Sequence, residues 1–227
     1  MECKFCKKKC QKAGRQKNGI QKYYCKYCEK YQQGAYTYNA CNAVTMELLP
    51  KLVCESVSIR GMARVMKIAL STVVKKLKYI ADKIIKPPIP ANCKEVELDE
   101  LRTYIGRKEN QYWVAYAICS QTKKPIDFVV GKRSKQTLAT IVNTLLLSKV
   151  EKIRTDKLNI YRGLIPRHQH ISEAYNINHI ERNNLNLRTH LKRLSRRTIC
   201  FSRSVTMLAA CLKIYFSFSE GYIYHRI

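Results

Sequence analysis

Apolar and polar positions alternate over Glu95-Val-Glu-Leu-Asp99, which predicts a strand with Glu95, Glu97 and Asp99 on one face. Tyr112–Cys119 and Ile126–Val130 read as two further strands, separated by a turn around Thr122–Pro125. Ser134 is placed to cap a helix over Lys135–Leu147. Val150–Thr155 reads as a short fourth strand, with Asp156 at its end. In Asn178–Arg203 the apolar residues Ile180, Leu187, Leu191 and Leu194 fall 7, 4 and 3 apart and predict one helical stripe. Glu181, Asn184 and Arg188 share one flank of that helix, whereas Arg182, Arg193, Arg196 and Arg197 lie on the opposite side. Val205–Phe218 is apolar with basic breaks and reads as a core helix, a dimer interface being the alternative.

The first half of the chain has helical periodicity. Thr45–Glu55 reads as a helix containing Pro50. Ser58–Met66 and Ser71–Ile80 read as two helices joined by a short turn, with Ser58 and Ser71 as N-caps. Ile59, Val65, Ile68, Val73, Leu77 and Ile80 are its candidate core, and Ala63 is small where the helices approach. This pattern matches a helix-turn-helix whose second helix enters a major groove, with Ser71, Thr72, Lys75 and Lys76 facing DNA. An ordinary helical hairpin has the same pattern. Lys86-Pro-Pro-Ile-Pro90 cannot continue a helix and reads as a stiff linker.

Charge changes the picture. The 227 residues carry 43 Lys and Arg against 16 Asp and Glu, a net charge of +27. The excess is +14 over residues 1–90 (19 basic, 5 acidic) and +13 over the remainder (24 basic, 11 acidic), so it is not a single basic tail. Such a surface suits a long polyanion. A membrane surface is the competitor, but the sequence has no apolar run of transmembrane length and MECKFCKKKC has no apolar signal region. The expectation is a cytoplasmic, nucleoid-associated protein that binds double-stranded DNA.

Cysteine spacing adds a metal. Cys3-Lys-Phe-Cys6 and Cys25-Lys-Tyr-Cys28 are two knuckles with 18 residues between them, a spacing that brings four thiolates onto one zinc ion. Gly14, Asn18-Gly19 and Ile20–Tyr24 supply turns and strands for a zinc ribbon, and Cys10 is an alternative ligand. Cys93, Cys119, Cys200 and Cys211 have no paired spacing and read as buried thiols.

The order of the remaining elements gathers carboxylates. Three strands form a meander, and the helix after them crosses over to set the fourth strand beside the first. Asp99 and Asp156 then become neighbours, and the later helix supplies Glu181 from the side. This is the ribonuclease H arrangement, in which three carboxylates hold two divalent ions about 3.5–4 Å apart. Glu97 is a spare ligand on the same strand face, and Asp127 reads as structural. His168, His170 and His179 read as turn or phosphate-contacting histidines, assistance in catalysis being the alternative.

ELDE at Glu97–Glu100, Thr155–Asp156 with Tyr161 five residues on, and HIERNNLNLRTHLKRLSRRTICFSRS at His179–Ser204 resemble the insertion sequence one family of bacterial DDE transposases. The layout of ribbon, helix-turn-helix and catalytic part resembles it too. The resemblance implies a multidomain α+β or α/β chain: a zinc ribbon at 1–44, a helix-turn-helix at 45–86, a linker at 87–94 and a ribonuclease H-like domain at 95–227 with a mixed sheet and flanking helices. It implies Asp99, Asp156 and Glu181 as catalytic residues holding magnesium or manganese, and Arg188 as a phosphate contact. Arg182, Lys192 and Arg196 are further DNA-contact candidates in the same block. The function implied is binding of terminal inverted repeats with strand cleavage and strand transfer into target DNA, by a homodimer or higher assembly. Departures are Lys157 where relatives carry a glycine, and a first knuckle without the common proline and glycine. The competing readings are a DNA-binding regulator with a non-catalytic scaffold and a structure-specific nuclease.

Overall fold

A computed structural model describes residues 1–34, 37–172, 177–195, 198 and 200–218. The chain begins with a three-stranded antiparallel sheet of β1 (Gln11–Arg15), β2 (Gln21–Cys25) and β3 (Lys30–Gln33), in that order. Gly19, at φ +80°, makes the turn between the first two strands. The sheet has almost no apolar interior: its buried centre is Cys3, Cys10 and Cys25, flanked by Cys6, Tyr23 and Cys28.

Three helices follow: α1 (Ala43–Cys54), α2 (Ile59–Met66) and α3 (Leu70–Lys83). Ser58 caps α2 by accepting from the Gly61 amide at 3.0 Å, as its position predicts. Ser71 caps nothing: α3 begins one residue earlier, with extended Ala69 as its cap, so Ser71 lies exposed inside the first turn. Val65 is a second correction. It is 64% exposed, and Met62 and Met66 fill the core on the other face of α2 with Ile68, Val73, Leu77 and Ile80. The α2 helix ends on Lys67 in the left-handed conformation, φ 51°, which turns the chain sharply into α3.

The second sheet has five strands in the order β6-β5-β4-β7-β8. Strands β4 (Glu95–Tyr104), β5 (Gln111–Cys119) and β6 (Pro125–Gly131) are an antiparallel meander. Helix α4 (Lys135–Leu146), capped by Ser134, crosses over to β7 (Lys152–Thr155), which runs parallel to β4. The expected neighbourhood of the first and fourth strands is therefore present. A four-residue helix, α5 (Asn159–Arg162), leads to the edge strand β8 (His170–Ile171), parallel to β7.

Alternation along β4 divides the molecule into layers. Val96 and Leu98 pack with Leu138, Ile141, Val142, Leu145 and Tyr161 on one face. Leu101 and its β5 neighbours Val114, Tyr116 and Ile118 pack on the other face, against α6 (Asn178–His190) and α7 (Val205–Phe218). The predicted stripe Ile180, Leu187, Leu191 and Leu194 is buried throughout, but not as one helix. The α6 helix stops at His190, Leu191 is extended, and a 3-10 turn covers Lys192–Leu194. Ser195 Oγ donates to the Arg188 carbonyl at 2.9 Å and closes that end. Arg193, expected on the polar side, is turned inward and donates to Ser202 Oγ at 3.0 Å.

The α7 helix is a core helix on two sides. Met207, Ala210, Cys211 and Ile214 join the interior of α1–α3, whereas Leu208, Leu212 and Tyr215 join the sheet. Its all-round apolar sequence follows from this double coverage. The linker is also tied down: Lys86 Nζ lies 2.7 Å from Asp127 Oδ2 on β6, which gives Asp127 its structural role. Among the described residues, no helix is long and apolar enough to cross a membrane.

Candidate active site and metal centre

Helix α6 lies along β4, and three hydrogen bonds hold it there. The Ile180 amide donates to Glu97 Oε2 at 2.9 Å, Asn184 Nδ2 donates to Asp99 Oδ2 at 2.6 Å, and Arg188 Nη2 donates to the Arg102 carbonyl at 3.4 Å. Four helical residues rise about 6 Å and two strand residues about 6.6 Å, so the turn of α6 from Ile180 to Asn184 keeps pace with the same-face residues Glu97 and Asp99, while Arg188 reaches a backbone carbonyl further along β4. Glu97 also holds His179 Nδ1 at 2.7 Å. It is the N-terminal anchor of α6, where the formal cap Ile177 offers no side-chain acceptor. Glu97, expected to be a spare ligand, is thus buried and fully engaged.

Asp99 is half-buried beneath α6, opposite Tyr116 in the β4–β5 register. The Tyr116 hydroxyl lies 2.9 Å from Asn184 Oδ1 and 3.2 Å from the Ile180 carbonyl. Its contact with Asn184 orients the amide oxygen toward Tyr116 and the amide nitrogen toward Asp99. Burial pushes the Asp99 carboxyl up from about 3.8 to about 6, and the Glu100 and Asp156 charges add to this against the opposing hydrogen bonds from the Glu100 amide and Asn184. Leu98 pairs with Thr155 in the parallel β4–β7 ladder, so Asp99 and Asp156 are the next residues along the two neighbouring strands.

Asp156 stands immediately after β7. Its Oδ1 accepts from the Leu158 amide at 3.0 Å, and Oδ2 lies 3.9 Å from Arg133 Nη2. Behind it, Thr155 Oγ1 is 2.8 Å from both the Asp156 carbonyl and His170 Nε2. A hydroxyl donating to that carbonyl accepts from His170, which puts the imidazole proton on Nε2. Burial lowers the His170 pKa, consistent with a neutral ring. Glu100 faces the opposite layer from Asp99. It accepts from Arg133 Nε at 2.9 Å and from the Tyr161 hydroxyl. Arg133 thereby bridges Glu100 and Asp156.

Glu181 is exposed in the first turn of α6, one residue beyond the Glu97 anchor and one turn before Asn184. Among the described residues its carboxylate makes no hydrogen bond or ion pair, while its backbone amide donates to the Ile177 carbonyl at 3.0 Å. Asp99 and Asp156 follow the paired residues Leu98 and Thr155 of β4 and β7, and Glu181 lies on the helix bonded along β4; among the described residues the three carboxylates are not drawn together as closely as the thiols described below. Uncompensated carboxylates repel, and here each is solvated or holds a local donor. Hard oxygen donors of this type suit magnesium or manganese.

The DNA-contact candidates divide. Arg182 and Lys192 are exposed, as are Ser71 and Lys75 on α3. Thr72 is half-buried, 3.5 Å from the Tyr38 hydroxyl, and Lys76 Nζ lies 3.3 Å from Met46 Sδ. Lys78, which the sequence reading passed over, shares the exposed face with Ser71 and Lys75 at helical spacing. Arg188 is occupied with the carbonyls of Leu194 and Arg102. Arg196 lies outside the described residues.

The two knuckles meet as their spacing predicts. Cys3, Cys6, Cys25 and Cys28 have all four sulfurs within 4.8 Å of one another. The pairs Cys3–Cys28, Cys6–Cys25, Cys6–Cys28 and Cys25–Cys28 are 3.4, 3.5, 3.1 and 3.4 Å apart, all somewhat shorter than the ~3.8 Å edge of a zinc–sulfur tetrahedron. Amide hydrogen bonds from Cys6 and Phe5 hold the Cys3 thiol down to about 5 and that of Cys28 lowers Cys25, whereas the sulfurs of Cys6 and Cys3 push Cys28 up, so the four thiols share their protons unequally. Cys10, the alternative ligand, accepts from Gln32 Nε2 at 2.8 Å, and burial raises its pKa. The donor set fits zinc.

The raised pKa of Asp99 has a stability consequence. A carboxyl whose folded value exceeds its unfolded value favours the fold below pH 4, and that contribution is lost as pH rises through about 6. Asp99→Asn keeps the shape and removes the charge. At pH 7.5, without added magnesium, it is expected to unfold several degrees above the wild type, reflecting about 2–3 kcal/mol. The advantage should vanish near pH 4, which thermal melts across that range would check.

Residues 92–220, more than half of the chain, match the family model described as IS1 transposase. The insertion element iso-IS1n protein InsB of Shigella dysenteriae is 37% identical over 109 residues, covering 48% of this chain and 83% of that protein. The IS1 protein InsB of Shigella sonnei is 36% identical over 111 residues, covering 49% and 85%. A simian T-cell lymphotropic virus intasome in complex with a PP2A regulatory subunit aligns with 73% of this chain and 65% of the matched chain at 14% identity, but its TM-score of 0.38 carries no argument.

Proposed function

The chain belongs to the IS1 transposase family, and we propose that it binds the terminal inverted repeats of its own element and catalyses metal-dependent strand cleavage and strand transfer. The observation that carries this reading is Asp99. It is a half-buried carboxylate with Asp156 beside it and α6, which bears Glu181, pinned across it. Burial and neighbouring charges both oppose its ionisation, and a cation held between Asp99 and Asp156 would relieve both. Helix α6 adds two fixed donors, Asn184 and the Ile180 amide, that hold Asp99 and Glu97 in place.

In this reading residues 95–227 are a ribonuclease H-like domain, 45–86 a helix-turn-helix, 87–94 a linker and 1–44 a zinc ribbon. Asp99, Asp156 and Glu181 would hold magnesium or manganese ions, which supply an activated nucleophile and charge stabilisation at the leaving oxygen. Asn184 orients Asp99, and the backbone at Leu158 with Arg133 orients Asp156. The nucleophiles are water and then the freed 3′-hydroxyl, so no covalent protein–DNA intermediate forms. Joining two ends to one target brings at least two copies together on DNA.

A strand-transfer assay with the native element ends tests the proposal. End-specific nicks and joined products should require added magnesium or manganese. Tight binding of the ends without any cleavage would overturn it.

The exposed face of α3 carries a separate expectation. Lys75→Ala and Lys78→Ala should weaken duplex binding, and each should reduce the slope of log K against log salt by about 0.9 per lost phosphate contact. An unchanged slope in the double variant would remove α3 from the interface.

A further inference from the structure

The ribbon carries an internal repeat beyond its ligands. Cys3-Lys-Phe-Cys-Lys-Lys8 and Cys25-Lys-Tyr-Cys-Glu-Lys30 have the same layout. Lys7 and Glu29, equivalent within it, are both left-handed, at φ 61° and 52°. The lysine that closes each knuckle covers the ring of the other: Lys8 Nζ is 3.8 Å from the centre of Tyr27, and Lys30 Nζ is 4.5 Å from that of Phe5. Both rings are well exposed, Phe5 at 62% and Tyr27 at 68%. The two halves differ in their surroundings. Beside Tyr27 lies a cavity of about 590 Å³ lined by Lys8, Lys9, Cys10, Gln11, Lys26 and Tyr27. Its lining has three cations, an aromatic ring and no carboxylate.

We infer that this cavity takes one unpaired nucleotide of single-stranded DNA, with its base on the Tyr27 ring and its phosphate among Lys8, Lys9 and Lys26. Lysines alone would bind any phosphate backbone. The ring adds a requirement that duplex DNA does not meet, because the faces of its bases are covered by the stacked base pairs above and below. A volume near 590 Å³ lies within the roughly 300–1,000 Å³ of small-ligand sites. Lys8, already over the ring, is placed to contact the phosphate when a base takes the ring face.

The test uses the purified full chain loaded with zinc and measures binding of oligothymidylate, of an abasic strand of equal length, and of a duplex of unrelated sequence. The wild type should bind oligothymidylate about tenfold more tightly than the abasic strand, since stacking contributes about 1–3 kcal/mol per base. Tyr27→Leu should lose that preference while its duplex affinity changes less than about twofold. Tyr27→Phe should retain it. Equal wild-type affinity for abasic strand and oligothymidylate would overturn the inference, and that comparison needs no variant to fold. So would a Tyr27→Leu protein that weakens on strand and duplex alike. None of these readings involves cleavage, so a chain without strand transfer would leave them standing.

Discussion

Glu181→Gln is expected to cut metal-dependent cleavage of element-end DNA by about a thousandfold or more while leaving DNA binding intact or slightly tighter. Among the described residues the carboxylate is exposed at the first turn of α6 and makes no hydrogen bond or ion pair. The fold therefore loses little when it becomes an amide. A metal ligand is affected differently, because the charge that holds the ion is gone. Losing several kcal/mol of transition-state stabilisation corresponds to about three decades in rate. Asp156→Asn should match it, since Asp156 shares the site and its Leu158 contact needs only an oxygen acceptor. Asp127→Asn should remain active: that carboxylate holds Lys86 on another part of the sheet. Asn184→Ala should give an intermediate loss, because it frees Asp99 to rotate without removing a ligand. A folded Glu181→Gln protein that cleaves at the normal rate would make this helix a solvated basic face with one carboxylate relieving repulsion.

The sequence made the strands around that site legible because their periodicity is strong. Alternation at Glu95–Asp99 survives into a ten-residue strand, and Ser134 caps α4 where it was expected. Periodicity says which residues share a face, but not what covers them. Glu97 and Asp99 are equivalent by that criterion, yet Glu97 lies under the α6 N-terminus and is consumed by it. Leu191 and Leu194 continue the apolar spacing of α6 after its backbone has ceased to be helical, since burial depends on where side chains land. Val65 failed for a related reason: α2 turns its methionine face inward, a choice made by α1, α3 and α7 together. The elements α5 and β8, four and two residues long, are too short to show a period at all. Asn184 was visible on the flank beside Glu181, but its bond to Asp99 became visible only with the sheet in place.

Removing zinc is expected to unfold the ribbon while the rest of the chain stays folded. The reason lies in what the three strands bury. Strand β1 is almost wholly exposed, and the interior of the sheet consists of cysteines with one tyrosine beside them. Hydrophobic burial on that scale cannot offset the ordering of roughly thirty residues, at about 1–2 kcal/mol each for the backbone. A structural zinc site contributes folding free energy directly, which this sparse interior does not. Purified protein should therefore contain one zinc per chain by elemental analysis. Cys25→Ser should lose it, because Cys25 is fully buried and in sulfur contact with both Cys6 and Cys28. The variant should become protease-sensitive before α1, whereas α1–α3 and α7 share a hydrophobic interior without the ribbon and should stay protected. Cys10→Ser should keep its zinc, since that thiol is held by Gln32 outside the four-sulfur set. Stoichiometric zinc in Cys25→Ser, or its loss in Cys10→Ser, would reassign the ligands; a ribbon that resists protease after complete chelation would show that the strands hold without the metal.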